Sequence, residues 1–277
     1  MEVLDIIKES FIFPSKNLEK LAIYIVLLFV MGLLIAGAVL AVAYAINESS
    51  LYSILSVILL ILATVIGLVI TGYQVGIFKS GIDMAENAPE FDWKNDLITG
   101  IKMIVTNIVY MIIPAIIVGI IALITNVPAN TMKMAEEMAA NSANVTATAN
   151  STSMMASVSE STLAAFGTSI AITAIVAFIL FIIFTFFLTM AEGRLAKTGS
   201  LGEALNIPEA AKDISRIGVG KVIAVILLIF IVISVIETIL NTLYGNVPQL
   251  SILSIIVTPY LSFFSQRASG LLYSDIA

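Results

Sequence analysis

Long apolar runs dominate the chain, and short segments that hold most of its charged residues separate them. Six runs reach the roughly 20 residues that an α-helix needs to cross the hydrocarbon core of a bilayer. Because a segment in lipid must satisfy its own backbone hydrogen bonds, we predict that all six are helices. The runs are Leu21 to Ala45, Leu51 to Tyr73, Ile101 to Thr125, Phe166 to Met190, Val222 to Leu243 and Val247 to Ser265.

The polar pattern of the first residues predicts a further, shorter helix. In "MEVLDIIKESFIF", Val3, Leu4, Ile7 and Phe11 share one helical face, and the charged side chains occupy the other. This pattern is typical of a helix that lies on the membrane surface, here before Pro14 turns the chain, although a partner-binding helix has the same pattern. Charged residues and an apolar run of 25 residues argue against a cleavable signal, so we expect the segment to stay attached.

Composition supports an all-α polytopic membrane protein. Hydrophobic residues make up 60% of the chain, charged residues only 12%, and the mean hydropathy is +1.08, whereas charged residues make up about 25% of soluble domains. Cysteine and histidine are both absent, which excludes disulfides, thiolate nucleophiles and imidazole bases or metal ligands. We therefore expect no catalytic residues, cofactor or metal, because an enzyme would depend on Ser, Lys or isolated acids.

The placement of positive charge predicts the orientation in the membrane. If the N-terminus is cytoplasmic, only Lys133 among the 13 lysines and arginines falls in an outer loop. Cytoplasmic loops of membrane proteins carry the excess of Lys and Arg. We therefore predict a multi-pass protein of the cell membrane with both termini in the cytoplasm.

Asparagine sequons give an independent indication of the same orientation. Asn47, Asn144 and Asn150 each start an N-x-[ST] glycosylation motif, and all three fall on the side assigned as outside. The outer loop from Asn126 to Ser161 is rich in Asn, Ser, Thr, Ala and Met, which predicts a solvated, mobile segment. Within it, the pattern allows one short helix around Met132 to Ala140.

The charged segments reveal an internal duplication. "KSGIDMAENAPE" at 79–90 and "KTGSLGEALNIPE" at 197–209 both read K-[ST]-G followed by N-x-P-E, and a weaker echo begins at Asn17. Outside these segments, Gln74 corresponds to Glu192. We predict three parallel repeats of an inner elbow plus a helical hairpin, whose axis runs along the membrane normal and not in its plane as in many transporters.

The duplication predicts the boundaries of three hairpin regions. Residues 1–73 hold the N-terminal helix and the first hairpin. Residues 74–190 hold an inner elbow and the second hairpin, with the long outer loop at 126–161. Residues 191–277 hold the next elbow and the third hairpin.

Residues shared by the two elbows are those that end and begin helices. Gly81 and Gly199 are predicted to supply the left-handed position that terminates a helix. Pro89 and Pro208 suit the first turn of a new interfacial helix, with a glutamate behind each of them.

Acidic residues of the elbows divide into repeated and unrepeated ones. Asp96 and Asp213 both precede a span and are predicted to cap it. Asp83, Glu86 and Asp92 have no counterparts in the second copy. A carboxylate site for a hard cation is the alternative interpretation of these three, but we favour a structural role for the whole stretch.

Three segments of the chain resemble a known family. "PEFDWKNDLITGIK", "GRLAKTGSLGEAL" and "PYLSFFSQRASGLLY" are similar to signature segments of an archaeal multi-pass membrane family catalogued only as a domain of unknown function. The resemblance covers nearly the whole chain apart from the Ser/Thr/Asn-rich outer loop. It implies an archaeal cell membrane and about six helices, and it brings no activity, cofactor or catalytic residues.

Few polar residues lie inside the predicted spans. Glu237 is the only ionisable residue well inside one, and Asn241 lies one turn further on the same face. Asn107, in the third span, is predicted to bond across to another helix. An acid within a membrane span is by default a functional-site hypothesis, so these three residues form the predicted intramembrane polar site.

Two functions from different classes fit these observations. The first is a non-enzymatic envelope protein that organises the membrane or holds a protein partner through its cytoplasmic elbows and N-terminal helix. The second is a permease or channel-like protein for a small solute or lipid, with Glu237, Asn241 and Asn107 facing a shared cavity. Membrane lipids are expected partners in either case, and nucleic acid is not.

Overall fold

The computed structural model describes residues 1–45, 50–142 and 158–277, and these fold almost entirely into α-helices. Two short 3-10 helices, Pro248–Leu253 and Ser274–Ile276, flank the last long helix. The α-helices are α1 Val3–Lys16, α2 Leu18–Ala45, α3 Ser50–Ile82, α4 Trp93–Ile124, α5 Val127–Ser142, α6 Glu160–Thr198, α7 Leu201–Ala204, α8 Ile207–Ile217, α9 Val219–Asn246 and α10 Ser254–Tyr273.

Six helical segments of the described residues are long and apolar enough to cross a membrane, which confirms the predicted number. They are α2, α3, α4, α6, α9 and the segment Pro248–Ile276, which contains α10. The helices extend beyond the apolar runs: α3 continues past Tyr73 to Ile82, and α4 begins at Trp93 instead of Ile101. Apolar runs mark only the part of a helix that lipid surrounds, whereas backbone hydrogen bonding continues into the interface.

The chain divides into two compact units. Unit 1 contains residues 1–107 and 186–277, and unit 2 contains residues 108–185. Unit 1 therefore holds the first and third hairpins together with the N-terminal part of α4 and the C-terminal part of α6. Both chain ends lie at the same end of unit 1, because the N-terminal ammonium is 3.5 Å from the Asp275 carboxylate.

The core of unit 1 lies where α2, α3 and α10 pack together, and it is rich in aromatic side chains. Tyr24, Tyr73 and Phe263 are buried there with ring centroids 5.3 to 6.2 Å apart. Further along α2 and α3, the small residues Ala41 and Ala63 are buried. Small side chains allow helices to approach closely where lipid removes the hydrophobic driving force between them.

Helix α1 packs against this core, and its buried face differs from the predicted apolar face. Its buried face contains Ile6, Ser10 and Phe13, and α1 packs against α10. Leu4, which was predicted to share an apolar face with Val3, Ile7 and Phe11, is 62% exposed. Pro14 does not turn the chain, because the helix continues to Lys16. The buried residues Ile6, Ser10 and Phe13 have the spacing i, i+4 and i+7, which also places side chains on one face of a helix.

Glycines permit two very close helix crossings in unit 1. A Cβ on Gly81 of α3 would lie 2.8 Å from the Gly270 Cα atom of α10, and one on Gly270 would lie 2.1 Å from the Phe78 carbonyl oxygen. A Cβ on Gly72 of α3 would lie 1.8 Å from the Asp96 carbonyl oxygen of α4. Backbone therefore contacts backbone at both crossings, as small residues allow in membrane helix pairs.

Unit 2 contains α5, so the first part of the predicted outer loop is helical, and residues 143–157 of that loop lie outside the described residues. Helix α5 spans Val127–Ser142 and includes the predicted short helix around Met132 to Ala140. The carboxylate of Glu137 ties α5 to the start of α6, because it accepts hydrogen bonds from the Ser159 N–H at 2.7 Å and the Thr162 hydroxyl at 2.6 Å. Asn130 donates to the Ser169 hydroxyl oxygen at 3.3 Å.

Candidate functional site

The first elbow, residues 83–92, begins differently from the prediction. Gly81 lies inside α3 at the close crossing, and the left-handed residue is Met84, with φ of 49°. The Ala85 N–H then donates to the Ser80 carbonyl at 2.9 Å and closes the helix end. Pro89 does not start a helix, because residues 87–92 are not helical. In this copy both predicted roles were wrong. Gly81 permits the close packing of α3 against α10, and Pro89 lies in a non-helical segment.

Contacts with unit 1 fix the first elbow along its length. Asn17, buried at the end of α1, accepts a hydrogen bond from the Ala88 N–H at 2.7 Å. The Tyr73 hydroxyl donates to the Pro89 carbonyl at 3.0 Å, and the Tyr73 ring stacks on Phe91 at 3.7 Å. Lys20 forms an ion pair with Glu90. These contacts favour a structural role for the charged stretch.

The second elbow follows the predicted pattern at its ends. Gly199 has φ of 65° and ends α6, as expected of a left-handed terminator. Asn206 caps α8 by accepting a hydrogen bond from the Glu209 N–H at 3.3 Å, and Pro208 lies in the first turn. Lys212 and Arg216 both form ion pairs with Glu209. The hydrogen bond from Lys212 lowers the pKa of the Glu209 carboxyl below the usual glutamate value.

Asp213 does not cap the following span, which corrects the prediction. It lies inside α8, and its carboxylate is buried. It accepts hydrogen bonds from Arg194 at 3.0 Å, Arg216 at 2.8 Å and the Tyr273 hydroxyl at 3.0 Å. Arg194 also pairs with Glu203. A buried carboxylate needs such partners to offset the loss of its hydration, so this cluster joins α6, α8 and α10.

A buried arginine joins two other helices, α1 and α3, to α10 at the same end of unit 1. Arg267 of α10 is 2% exposed, and its Nη2 atom donates to the Glu9 carboxylate at 2.6 Å. Its Nη1 atom donates to the Ser80 carbonyl of α3 at 2.6 Å. The guanidinium carbon lies 4.4 Å from the centre of the Phe13 ring. A planar guanidinium with five N–H donors can make all of these contacts at once, whereas a lysine ammonium could not.

The acids proposed as an alternative metal site are not gathered into one. Asp92 caps α4 by accepting a hydrogen bond from the Asn95 N–H at 3.1 Å, and Asp96 accepts one from the Asp92 N–H at 3.0 Å. The capping role predicted for Asp96 is thus shared with Asp92. Asp83 and Glu86 are exposed. Across residues 1–45, 50–142 and 158–277, no three acidic side chains converge as metal ligands would.

The paired positions Gln74 and Glu192 both bond to α10. Gln74 donates to the Tyr24 hydroxyl oxygen at 2.7 Å and to the Ser262 hydroxyl oxygen at 2.9 Å. The side chain of Glu192 is hydrogen-bonded to Gln266, one helical turn from Ser262. Two spans that correspond in the duplication therefore contact the same side of the last helix.

An open cavity with both polar and apolar walls lies in unit 1. Its volume is about 240 Å³, and it lies between the C-terminal end of α3, the N-terminal end of α4 and the C-terminal end of α6. We call it the lysine pocket. Its lining residues are Gly72, Val75, Gly76, Lys79, Asn95, Asp96, Thr99, Leu195, Ala196, Lys197, Thr198 and Gly199.

The two lysines of the pocket come from the two K-[ST]-G motifs. Lys79 and Lys197 are exposed, and within the described ranges neither ammonium takes part in a hydrogen bond or ion pair. Lys102 lies at the edge and donates to the Gly199 carbonyl at 2.7 Å. The lining therefore carries two positive charges and the one negative charge of Asp96, and in the described residues neither lysine is paired with an anion, in contrast to Arg194 and Arg267.

The predicted intramembrane polar site is not assembled. Glu237 and Asn241 are exposed on α9, and in the described part of the chain neither side chain has a hydrogen bond or ion pair. Asn107 donates to the Met103 carbonyl of its own helix at 3.1 Å, so the predicted bond to another helix was wrong. The sequons at Asn47, Asn144 and Asn150 lie outside the described residues.

Reasoning from sequence missed the role of Arg267 and Glu9. The sequence does carry a signal, because "RASG" at 267–270 repeats the basic residue and Ser-Gly ending of "KSG" at 79–81. That similarity marks the end of the last span as a counterpart of the other two. It does not show that Arg267 turns inward to meet a glutamate 258 residues away.

Comparison with known proteins gives a family and no further relative. No curated protein and no solved structure matches the chain. The matching family is described as "Protein of unknown function (DUF4013)" and covers residues 54–245. This range includes the outer loop, which the resemblance left out, and every residue of the lysine pocket, but not the third signature segment at 259–273. The chain therefore belongs to the DUF4013 family of proteins of unknown function.

Proposed function

We propose that this integral membrane protein is a non-enzymatic component of an archaeal cell envelope that organises the membrane or holds a partner at its elbows. One observation carries the proposal. The polar side chains that make contacts between the elements of unit 1 lie mainly at the end that holds both termini, where they join α1, α3, α6, α8 and α10. A helical bundle whose polar contacts are concentrated at one end suits a scaffold better than a transport pathway.

The outward faces of the spans support this proposal. Leu33 and Leu40 on α2, Ile61 on α3 and Phe230 on α9 are more than half exposed, and all are apolar. Such side chains are expected to contact lipid tails, because exposed apolar surface of this extent is unfavourable in water. These faces of the spans suit contact with lipid, as the proposal requires.

The permease hypothesis has less support from the structure. It requires Glu237, Asn241 and Asn107 to face one cavity, whereas Asn107 is bonded within its own helix and the other two side chains are exposed. An enzyme is the least supported class. The buried carboxylate of Asp213 and the buried guanidinium of Arg267 are held by structural partners, and no histidine or cysteine is present.

Reconstitution into liposomes tests scaffold against transport. The purified chain is assayed for conductance in planar bilayers, for liposome swelling with small sugars, amino acids and ions, and for scrambling of a fluorescent lipid. We expect rates equal to those of empty liposomes. Flux above that level in the wild type that Glu237→Gln abolishes would overturn the proposal and establish the permease. Glu160→Gln, at the end of α6, serves as the control substitution.

A further inference from the structure

We propose that the lysine pocket binds a phosphate group, carried by the headgroup of a membrane lipid or present as free phosphate or phosphate ester. The inference concerns a specific anion site. It does not depend on whether the protein is a scaffold or a permease, because either could contain such a site.

The charges around the pocket favour an anion. Lys79 and Lys197 both line it, and in the described residues neither has an anionic partner. Like charges that share a cavity repel each other, and the repulsion grows as water is replaced by protein. Lys102 adds a third cation at the edge, and Asp96 supplies one opposing charge. The balance remains positive, so the pocket favours a ligand with negative charge.

The polar groups of the pocket suit an oxyanion. Asn95 and Thr99 line it and provide an amide and a hydroxyl that can donate to phosphate oxygens. Lysine ammonium groups bind phosphate as point charges with several donors. Asp96 does not block this role, because its carboxylate is buried and accepts the Asp92 N–H at the cap of α4.

The shape of the pocket leaves room for a headgroup. Its volume is about 240 Å³, which holds several water molecules at about 30 Å³ each. Gly72 and Gly76 form part of one wall, and they contribute no side chains to fill the space. The walls from Val75, Leu195 and Ala196 are apolar and suit the carbon atoms next to a phosphate.

The depth of the pocket matches the headgroup layer. Helix α3 has 33 residues and is about 50 Å long at 1.5 Å per residue, whereas the hydrocarbon core is about 30 Å thick. Lys79 lies three residues before the end of α3, and Lys197 lies one residue before the end of α6. Basic pockets between the ends of membrane helices are suited to anionic headgroups.

Native mass spectrometry of the protein in detergent tests the inference. The probes are short-chain phosphatidylglycerol, glycerol 1-phosphate and inorganic phosphate, each titrated separately. We expect a single saturable adduct in the wild type. The Lys79→Gln/Lys197→Gln variant should bind about 30-fold more weakly, since each lysine near a lipid phosphate contributes about 1 kcal/mol. The Lys79→Arg/Lys197→Arg variant should retain the adduct, because it keeps both charges.

A matched control removes two other unpaired lysines. Lys8→Gln/Lys16→Gln makes the same charge change on α1, outside the pocket, and should bind as the wild type does. Thermal melting of each variant confirms that its fold survives. Binding of phosphatidylglycerol alone assigns the site to a lipid headgroup, and binding of the soluble probes assigns it to free phosphate or a phosphate ester. Equal weakening in pocket and control variants, or no saturable adduct with any probe, would overturn the inference.

Discussion

A single buried guanidinium determines much of how unit 1 is held together. Arg267 contacts Glu9, Ser80 and Phe13, which belong to α1 and α3. Its charge is almost fully removed from water, while Glu9 keeps about a third of its side-chain surface exposed. The loss of Arg267 would therefore leave Glu9 partly hydrated but would remove the contacts that join three helices.

We predict that Arg267→Met destabilises the protein strongly. The expected loss is near the lower end of the roughly 3–5 kcal/mol that removing one partner of a buried ion pair costs, because Glu9 can regain some hydration. Thermal unfolding in detergent, followed by size-exclusion chromatography, measures the change. Lys16→Met, at an exposed and unpaired lysine, should have little effect. A melting temperature unchanged in Arg267→Met would show that the cluster does not stabilise the fold.

A methyl group at Gly270 should also be damaging. It would lie 2.1 Å from the Phe78 carbonyl oxygen, and backbone atoms cannot move aside as a flexible side chain can. Overpacking costs typically about 1–3 kcal/mol, so Gly270→Ala should lower thermal stability clearly. Gly32→Ala provides the matched control in α2, because no atom lies within 4 Å of its added Cβ. Similar melting temperatures for the two variants would contradict the close crossing of α3 and α10.

At the scale of elements, the two elbows show what sequence can and cannot predict. Gly199 and Pro208 act as their residue types predict, because a left-handed stop and a first-turn proline are local features. Gly81 and Asp213 were misassigned, because packing against Gly270 and pairing with Arg194 depend on residues far away in sequence. Apolar runs likewise predicted six spans but not their full length.

The carboxylate of Glu137 links α5 to the start of α6. The Thr162 hydroxyl and the Ser159 N–H lower the pKa of Glu137 below the usual glutamate value, which is about 4.3. Because the pKa of Glu137 is lowered in the folded state, the carboxylate stabilises the contact fully at pH values above the usual glutamate pKa. This stabilisation is lost as the pH falls through the lowered pKa.

We therefore predict that amide exchange in α5 depends on pH and on Glu137. At pH 7, Glu137→Gln should show faster hydrogen exchange over residues 127–142 than the wild type, after correction for intrinsic rates. The difference should vanish below the lowered pKa, where both side chains are neutral. Glu136→Gln, at the exposed neighbouring residue, should exchange as the wild type does. A pH-independent difference between Glu137→Gln and the wild type would refute the electrostatic origin of the contact.

At the scale of the whole molecule, the orientation is a prediction from charge and sequons. The chain contains no cysteine, so single cysteines can be introduced without background. Met132→Cys and Asn246→Cys should react with an impermeant maleimide added outside intact cells, and Met84→Cys and Gly202→Cys should react only after lysis. All four positions are exposed, so access to the side chain does not limit labelling. The reverse pattern would contradict the cytoplasmic placement of the elbows.

The central claim is that Asn107, Glu237 and Asn241 do not line a hydrated passage through the spans that the structure describes. Aqueous labelling at these positions tests it most directly. Asn107, Glu237 and Asn241 are replaced singly by cysteine and treated with a small charged thiosulfonate from each side of sealed vesicles. Gly202→Cys at the exposed elbow is the positive control. Our account predicts that Gly202→Cys reacts rapidly and that the three span positions react no faster than a lipid-facing control, Leu40→Cys. Rapid reaction at Asn107 and Glu237 from both sides would contradict it and would favour the permease hypothesis over the scaffold.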